Sequence, residues 1–497
     1  MAQVQQNPDQ FYLTGSACIG DWSVTIRRNS GFQQRNMGKK KIRVSDSMGS
    51  VEIPADALYQ AQTQRALDNF KISSLRLPEA VIHALASIKK ACAETNFELE
   101  KLDRPRQQAI QKAAESIISG QYADQFSVDV FQTGSGTSSN MNVNEVIATL
   151  ASTDELSVHP NDHVNMGQSS NDVFPSAIHI AAARRIHEQL LPAMQVLEAA
   201  LNRRMQQHEQ TIKTGRTHLM DAMPVSLAQE ISAWASQVKN DRYRIQTTLT
   251  RLQQLAIGGT AVGTGVNTAS DFGHRVCNKL QAASGIRFMP MENLFEALST
   301  QNTALELSGQ LRVLATSLTK ISNDLRWMNS GPLTGLGEIR LEALQPGSSI
   351  MPAKVNPVIP EAVLMVAAQV NGNDATISLA AQSGSFQLNV MLPVIAYNLL
   401  QSIEILGSAS LHLARVIDTF TVNSDAMTQN LAFNPILVTA LNPIIGYQQA
   451  AEVAKTALEQ KRPILEVALE MTDISEARLE ELLNPANLVR NQSENSN

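Results

Sequence analysis

The chain has 497 residues, of which 43% are hydrophobic and only 4% aromatic, with a formal charge of −6 and a pI near 5.9. The length excludes a single ordinary core, so two or three domains are expected, and abundant Ala, Leu and Gln with few aromatics favour helices over a β-sandwich. The weakly negative charge argues against nucleic acid as a general partner, but it leaves room for a local cationic pocket that takes a small anion.

Residues 1–45 read as a basic N-terminal extension without regular structure. Arg27, Arg28, Arg35, Lys39, Lys40, Lys41 and Arg43 fall between 22 and 45 with no acid among them. A disordered arm, or an extension upstream of an alternative start at Met37, fits better than a mitochondrial transit peptide, because Asp9 and Asp21 lie upstream and no arginine-studded amphipathic helix is evident. Residues 46–168 read as a mixed N-terminal domain, extended near 51–54 and helical near 78–96 and 104–119.

Within that domain, a polar, glycine-broken run extends from Gln132 through Gly134, Ser135, Gly136 and Thr137 to Asn142. Its glycines allow backbone amides to approach a ligand, and its hydroxyls can hold carboxylate oxygens; a helix cap or polar linker is the plainer reading. A second run joins His159, Asn161, Asp162 and His163 to Ser169-Ser170-Asn171-Asp172, just before a helical pattern over 173–208. Free amides at a helix N-terminus suit an anion, while a capping box would use the same residues. His159 and His163 span a proline and lack a third ligand, so no metal is expected.

The central domain is expected over 169–425. Its segment from Gly215 to Pro224 holds Thr217 and His218 and leads into the stripe Leu227, Ile231, Trp234, Val238, Ile245, Leu249, Leu252 and Leu255, with Pro224 a suitable first helical residue and Gly258-Gly259 the stop. Leu307, Leu311, Leu314, Leu318, Ile321, Leu325 and Met328 alternate in steps of four and three, and 390–417 looks similar. Helices of about 30 residues are about 45 Å long and must bury their seams on one another. The fold class is therefore mainly α, a central bundle of long helices flanked by smaller N- and C-terminal domains. Residues 426–497 read as a small helical domain and tail, with helices near 447–460, 464–471 and 475–483.

Cys18, Cys92 and Cys277 are widely spaced, with no Cys/His ligand spacing, which predicts no disulfide, zinc or iron–sulfur centre and a reducing, cytoplasmic setting. No uninterrupted apolar run reaches the roughly 18–20 residues that span a bilayer, so no membrane is expected as a partner.

The strongest functional signal is residues 347–357, Gly-Ser-Ser-Ile-Met-Pro-Ala-Lys-Val-Asn-Pro. Glycine and proline bound it, so it reads as a loop, and it gathers Ser348, Ser349, Lys354 and Asn356. Such a loop can bring hydroxyls, a cation and an amide onto a small anion.

This run resembles the GSSxMPxKxNP signature of the fumarase/aspartase superfamily, and the segments described above resemble the same family over roughly residues 46–475. His218 matches the fumarase branch, since aspartate ammonia-lyases typically carry Thr-Gln there. Ala353, where most fumarases have glycine, and the wording Asp162-His163-Val164-Asn165-Met166 point to the ammonia-lyase branch. The resemblance implies a cofactor-free hydratase that converts L-malate reversibly to fumarate and water, with aspartate ammonia-lyase as the alternative.

The same resemblance makes Ser348 the base, its alkoxide held by amides of the 347–349 turn and by Lys354. Lys354 and Asn356 would meet the charge that develops on the carboxylate, and His218 with Glu361 would serve the hydroxyl side. Ser135, Thr137, Ser169, Ser170, Asn171, Thr217 and Ser349 would grip the carboxylates, together with Lys354 and Asn356. His159, Asn161 and Asp162 match a second anion site near the entrance, with Leu156 in place of a usual arginine. The resemblance also implies a homotetramer whose sites draw on three subunits. A non-catalytic relative, comparable with the lens crystallins, would have lost these residues, and Ser348, Lys354, Asn356, His218 and Glu361 are all present.

Overall fold

The computed structural model describes the backbone of residues 3–7, 10–17, 20–27, 40–429 and 431–489, with side chains from residue 40 onward. Five helices form the central bundle: Leu191–Gln207, Leu227–Leu252, Asn302–Met328, Val358–Ala381 and Leu392–Thr419. Their seams account for the arrangement. Leu307, Leu311, Leu314, Leu318, Ile321 and Leu325 are all fully buried, as are Ile231, Trp234, Val238 and Ile245. Each such side chain contributes about 1.5–3 kcal/mol when removed from water, so the stripe rather than helix propensity holds the bundle. Trp234 pays no polar penalty, because its Nε1 donates to Asp324 Oδ2 at 3.0 Å.

Chain direction gives the bundle two distinct ends. The Leu227, Val358 and Leu191 helices meet the others so that Arg251 pairs with Glu306, and Arg312 with Asp374, toward one end. Arg203 pairs with Asp418, and Lys213 with Glu338, toward the other. The 24 to 28 residues of the longer helices separate these ends by about 35–40 Å.

Most buried residues from Leu77 to Met427 belong to one continuous core; the helices Glu79–Glu98 and Thr137–Ala151 reach the bundle through Ser170–Arg185, and Arg104–Ile118 packs on those two. Residues between Leu437 and Leu483 have a separate core, built by the helices Asn442–Gln460, Ile464–Met471 and Glu476–Leu483. Leu392–Thr419 is long and apolar enough to cross a membrane by length and composition, but 61% of its apolar window is buried against its bundle neighbours.

Several elements differ from the sequence reading. Pro224 lies in a strand, Met220–Ser226, and the helix begins at Leu227 because the Ser226 side chain caps it reciprocally with Gln229. That helix ends at Leu252, since Gln254–Leu255 pairs in parallel with Met289–Pro290. The pattern over 173–208 is two helices joined through a π-helical turn at Ile186–Leu190, ahead of Pro192. In the extension, the backbone of Gln3–Asn7, Gln10–Ala17 and Gly20–Arg27 forms an antiparallel three-stranded sheet instead of an irregular arm. Its aromatic and β-branched residues, among them Phe11, Tyr12, Trp22, Val24 and Ile26, suit a pleated backbone. Arg28, Arg35, Met37 and Lys39 lie outside the described residues. Pairing resumes with Lys41–Asp46 against Gly49–Pro54.

Candidate active site

One end of the bundle carries two helix N-termini side by side, Thr137–Ala151 and Ser170–Arg185. Gly136 precedes the first in a left-handed conformation (φ 75°), and a Cβ there would overlap the Phe174 ring, so only glycine fits. Ser135 and Thr137 share a hydrogen bond at 2.8 Å. Asn140 Nδ2 donates to Ser170 Oγ at 3.0 Å and ties the two N-termini together. Ser169 caps the second helix in a capping box with Asp172, and Asn171 Nδ2 donates to the Ala261 carbonyl at 2.8 Å. Five expected substrate-binding residues, Ser135, Thr137, Ser169, Ser170 and Asn171, are thus gathered at one place.

Asp172 holds this end together. It is fully buried, and its carboxylate accepts from the amides of Ser169 (2.9 Å), Gly258 (3.0 Å) and Thr260 (2.9 Å). Burial pushes its pKa up to about 6, against the pull of those amides. Sequence reading saw Asp172 only as a cap; its reach to the Gly258-Gly259 turn, 86 residues away, has no local signal.

At the other end, Ile212–Thr217 and Met220–Ser226 form a hairpin whose two tip residues are His218 and Leu219, both left-handed at φ 56° and 60°. That is the backbone of a two-residue primed turn, which normally selects Gly or Asn. Non-glycine residues held there carry strain, and strain of this kind concentrates at functional positions. The tip is exposed, with Leu219 at 64% and Met220 at 69%. Its base is locked by a buried ion cluster: Lys213 with Glu230 and Glu338 at 2.7 Å each, and Arg216 with Glu338 at 2.8 Å. Sequence analysis missed this cluster, because Glu338 is brought to Lys213 only by the bundle.

Residues 347–357 form an irregular loop at the same end, ahead of the Val358–Ala381 helix that carries Glu361 in its first turn. The loop closes on itself. The Gly347 amide donates to the Lys354 carbonyl at 2.8 Å, and Asn356 Nδ2 donates to the Gly347 carbonyl at 2.7 Å. A Cβ on Gly347 would overlap the Lys354 carbonyl, so this closure requires glycine. Ser348 Oγ accepts from the amides of Ile350 (3.2 Å) and Met351 (3.0 Å). The donors are therefore the residues after the serine pair and not the 347–349 turn expected from sequence. Ser349, Lys354 and Ile350 are exposed, and Lys354 has no ion pair among the described residues. Ala353 is left-handed at φ 65°, the conformation that explains why glycine is usual at this position.

A single chain does not bring these pieces together. His218 and Glu361 form no ion pair among the described residues, and the Ser169–Asn171 turn lies a bundle length from both. The three residues matched to an entrance site are close: His159 Nδ1 lies 3.2 Å from Asp162 Oδ2 and accepts from the Asp162 amide, with Asn161 between them, all exposed. Among the described residues no group of three His, Cys, Asp or Glu has the arrangement to hold a metal ion.

Residues 49–372 match the family described as Lyase, and residues 437–490 match the Fumarase C C-terminus. The chain belongs to the class II fumarate hydratase family. It is 56% identical over 446 residues to "Fumarate hydratase class II 2" of Pseudomonas aeruginosa, covering 89% of this chain and 97% of that one. With the class II fumarate hydratase of Xylella fastidiosa (strain 9a5c) it shares 53% over 460 residues, covering 92% and 97%. Its structure matches that of a class II fumarase from Schistosoma mansoni with a TM-score of 0.88 at 37% identity, covering 90% and 99% of the two chains. A class II fumarate hydratase is a hydro-lyase, so the vote of His218 holds and the ammonia-lyase branch suggested by Ala353 is not favoured.

Proposed function

We propose that this chain interconverts L-malate and fumarate with Ser348 as the base, and the observation that carries this reading is the pair of amides aimed at Ser348 Oγ. A serine hydroxyl is far too weak a base unless its alkoxide is held, and hydrogen bonds donated to the charged form favour it. The alkoxide takes the carbon-bound proton beside a carboxylate, whose extra negative charge is met by Lys354 and Asn356. The hydroxyl group then leaves as water, with a proton delivered from the side of His218. Glu361 of another subunit orients that histidine for proton transfer. Ser135, Thr137, Ser169, Ser170, Asn171, Thr217 and Ser349 bind the carboxylates. His159, Asn161 and Asp162 form an outer anion site.

The reading includes a homotetramer in the cytoplasm. Support comes from the Val358–Ala381 helix, whose only charged residues are Glu361 in its first turn and the buried Asp374. Its outer face presents Ala362, Met365, Ala368, Gln369, Gly372 and Leu379, with Met365 68% and Leu379 63% exposed. An uncharged stripe of this length suits another helix better than water. Antiparallel copies would set the Ser169–Asn171 end of one chain beside the Ser348 and His218 ends of others.

The test is ultraviolet absorbance of fumarate formed from L-malate, beside an identical reaction with L-aspartate. Growth with malate alone is expected; growth with aspartate alone would overturn the reading.

A further inference from the structure

Lys89 is fully buried, in the middle of the Glu79–Glu98 helix. Among the described residues its ammonium has no carboxylate within ion-pair distance. It donates instead to two neutral amide oxygens, Asn165 Oδ1 at 2.9 Å and Gln168 Oε1 at 2.8 Å. A buried lysine whose direct partners are neutral is costly, because solvation of the charge is lost and only the Asp172 carboxylate, beyond ion-pair distance, offsets that loss in part. Both acceptors belong to the segment that runs directly into Ser169, Ser170 and Asn171. Asn165 Oδ1 also accepts from Asn140 Nδ2 at 3.3 Å and Asn144 Nδ2 at 3.2 Å, and Asn140 donates onward to Ser170 Oγ. A continuous chain of polar contacts therefore links the ammonium to the two helix N-termini.

We propose that Lys89 is the buried counter-cation of the carboxylate site: held by Asn165 and Gln168 behind the Ser169–Asn171 turn, it offsets the charge of the bound dicarboxylate, so that ligand binding and Lys89 protonation are coupled. This rests on the reading of Ser169, Ser170 and Asn171 as carboxylate-binding residues. Lys89 acts through these side chains and is a positioning residue.

The charges around it leave the role open to Lys89. Burial lowers its pKa to about 7, and the Asp172 carboxylate raises it in part. Cys92 on the same helix and Cys277 on the Phe272–Ser284 helix are buried thiols whose pKa values burial pushes up, so they remain neutral. Asp172, on the Ser170–Arg185 helix, is occupied by three backbone amides. On the Thr137–Ala151 helix, Glu145 accepts from the amides of Gln60, Gln62 and Thr63. On the Arg104–Ile118 helix, Glu115 pairs with Lys90; on Lys89's own helix, Glu94 and Glu98 pair with Lys279 of the Phe272–Ser284 helix. In the 160–164 turn, His163 accepts from the His159 amide, and burial lowers its pKa. A dianion arriving at the Ser169–Asn171 turn therefore favours the protonated form of Lys89, and binding takes up protons above neutrality.

The test is calorimetric titration of the full-length assembled enzyme with succinate, a non-reacting dicarboxylate, at about pH 7.5 in buffers of different ionisation enthalpy. Net proton uptake is expected in the unaltered protein and in His218→Asn. Uptake should vanish in Lys89→Met, with affinity about threefold weaker, the effect at pH 7.5 of one pK unit of coupling on a group that titrates near 7. Lys89→Arg, charged at every pH, should keep affinity without uptake. No uptake in the unaltered protein, uptake that disappears in His218→Asn, or uptake retained in Lys89→Met overturns the proposal. The first two results need no Lys89 variant, so they decide even if Lys89→Met fails to fold. Unchanged succinate affinity in both Ser170→Ala and Asn171→Ala would instead sink the site reading beneath it.

Discussion

The two ends of the bundle are built on opposite principles. At the Ser169–Asn171 end, hydroxyls and amides are fixed by a buried network: Asn140 joins two helix N-termini, and Asp172 pins a distant turn. At the other end, the Ser348 loop is bonded mainly to itself, and the His218 hairpin tip stands exposed on a strained backbone. The difference matches the work proposed for each end. A carboxylate site gains from donors that need no rearrangement when the anion arrives. A loop carrying the base must admit substrate and then close over it, so rigid attachment to the core would hinder turnover.

The largest effect that would sharpen this contrast is on chemistry at the loop. Ser348→Ala should lower kcat by about 10³-fold or more while leaving assembly mass and Tm unchanged, because among the described residues Ser348 Oγ bonds only within the loop. Near-normal turnover, measured by fumarate absorbance, would remove serine from the base role. His218→Asn should cost about 10²-fold in kcat with little change in stability, since the asparagine tolerates the left-handed turn. A fall in Tm of several degrees would instead make His218 structural.

The opposite pattern is expected at the fixed end. Asp172→Asn keeps the shape but weakens an acceptor used by three amides, and should destabilise the fold by about 1–3 kcal/mol, read from denaturant unfolding. It also carries a pH signature. The Asp172 pKa is raised by burial from 3.8 to about 6, so the folded state holds the extra proton between these values. Its contribution to stability is present in full below pH 3.8 and is lost as pH rises through 6, and the Asn variant should lack that decline. An unaltered pH profile would break the assignment.

The smallest effect concerns Ala353. Glycine relieves the left-handed backbone by up to about 1 kcal/mol, so Ala353→Gly should change kcat no more than a few-fold. A large loss of turnover would show that alanine sets the closed shape of the loop.

Much was legible because periodicity is a local property. The stripes at 227–252 and 304–328 announce long helices whose seams must meet, and the glycine- and proline-bounded run at 347–357 announces an irregular loop. Residue type also singled out Ser348, Lys354 and Asn356, whereas His218 stood out through the family resemblance. Element ends were less legible: the Ser226 cap overrode Pro224, and a short parallel pairing ended the next helix before Leu255.

Sequence by itself therefore determined the fold class, the family and the chemical groups on offer. Only the tertiary structure decided which amides face Ser348, that His218 sits at a strained hairpin tip, and that Lys89 lies buried behind the Ser169–Asn171 turn. It also decided that the 347–357 loop and the Ser169–Asn171 turn lie at opposite ends of the bundle. The reason is physical: a helix carries its neighbours along at a fixed rise, so two short motifs end up together or about 40 Å apart according to helix length and direction, which no local pattern encodes.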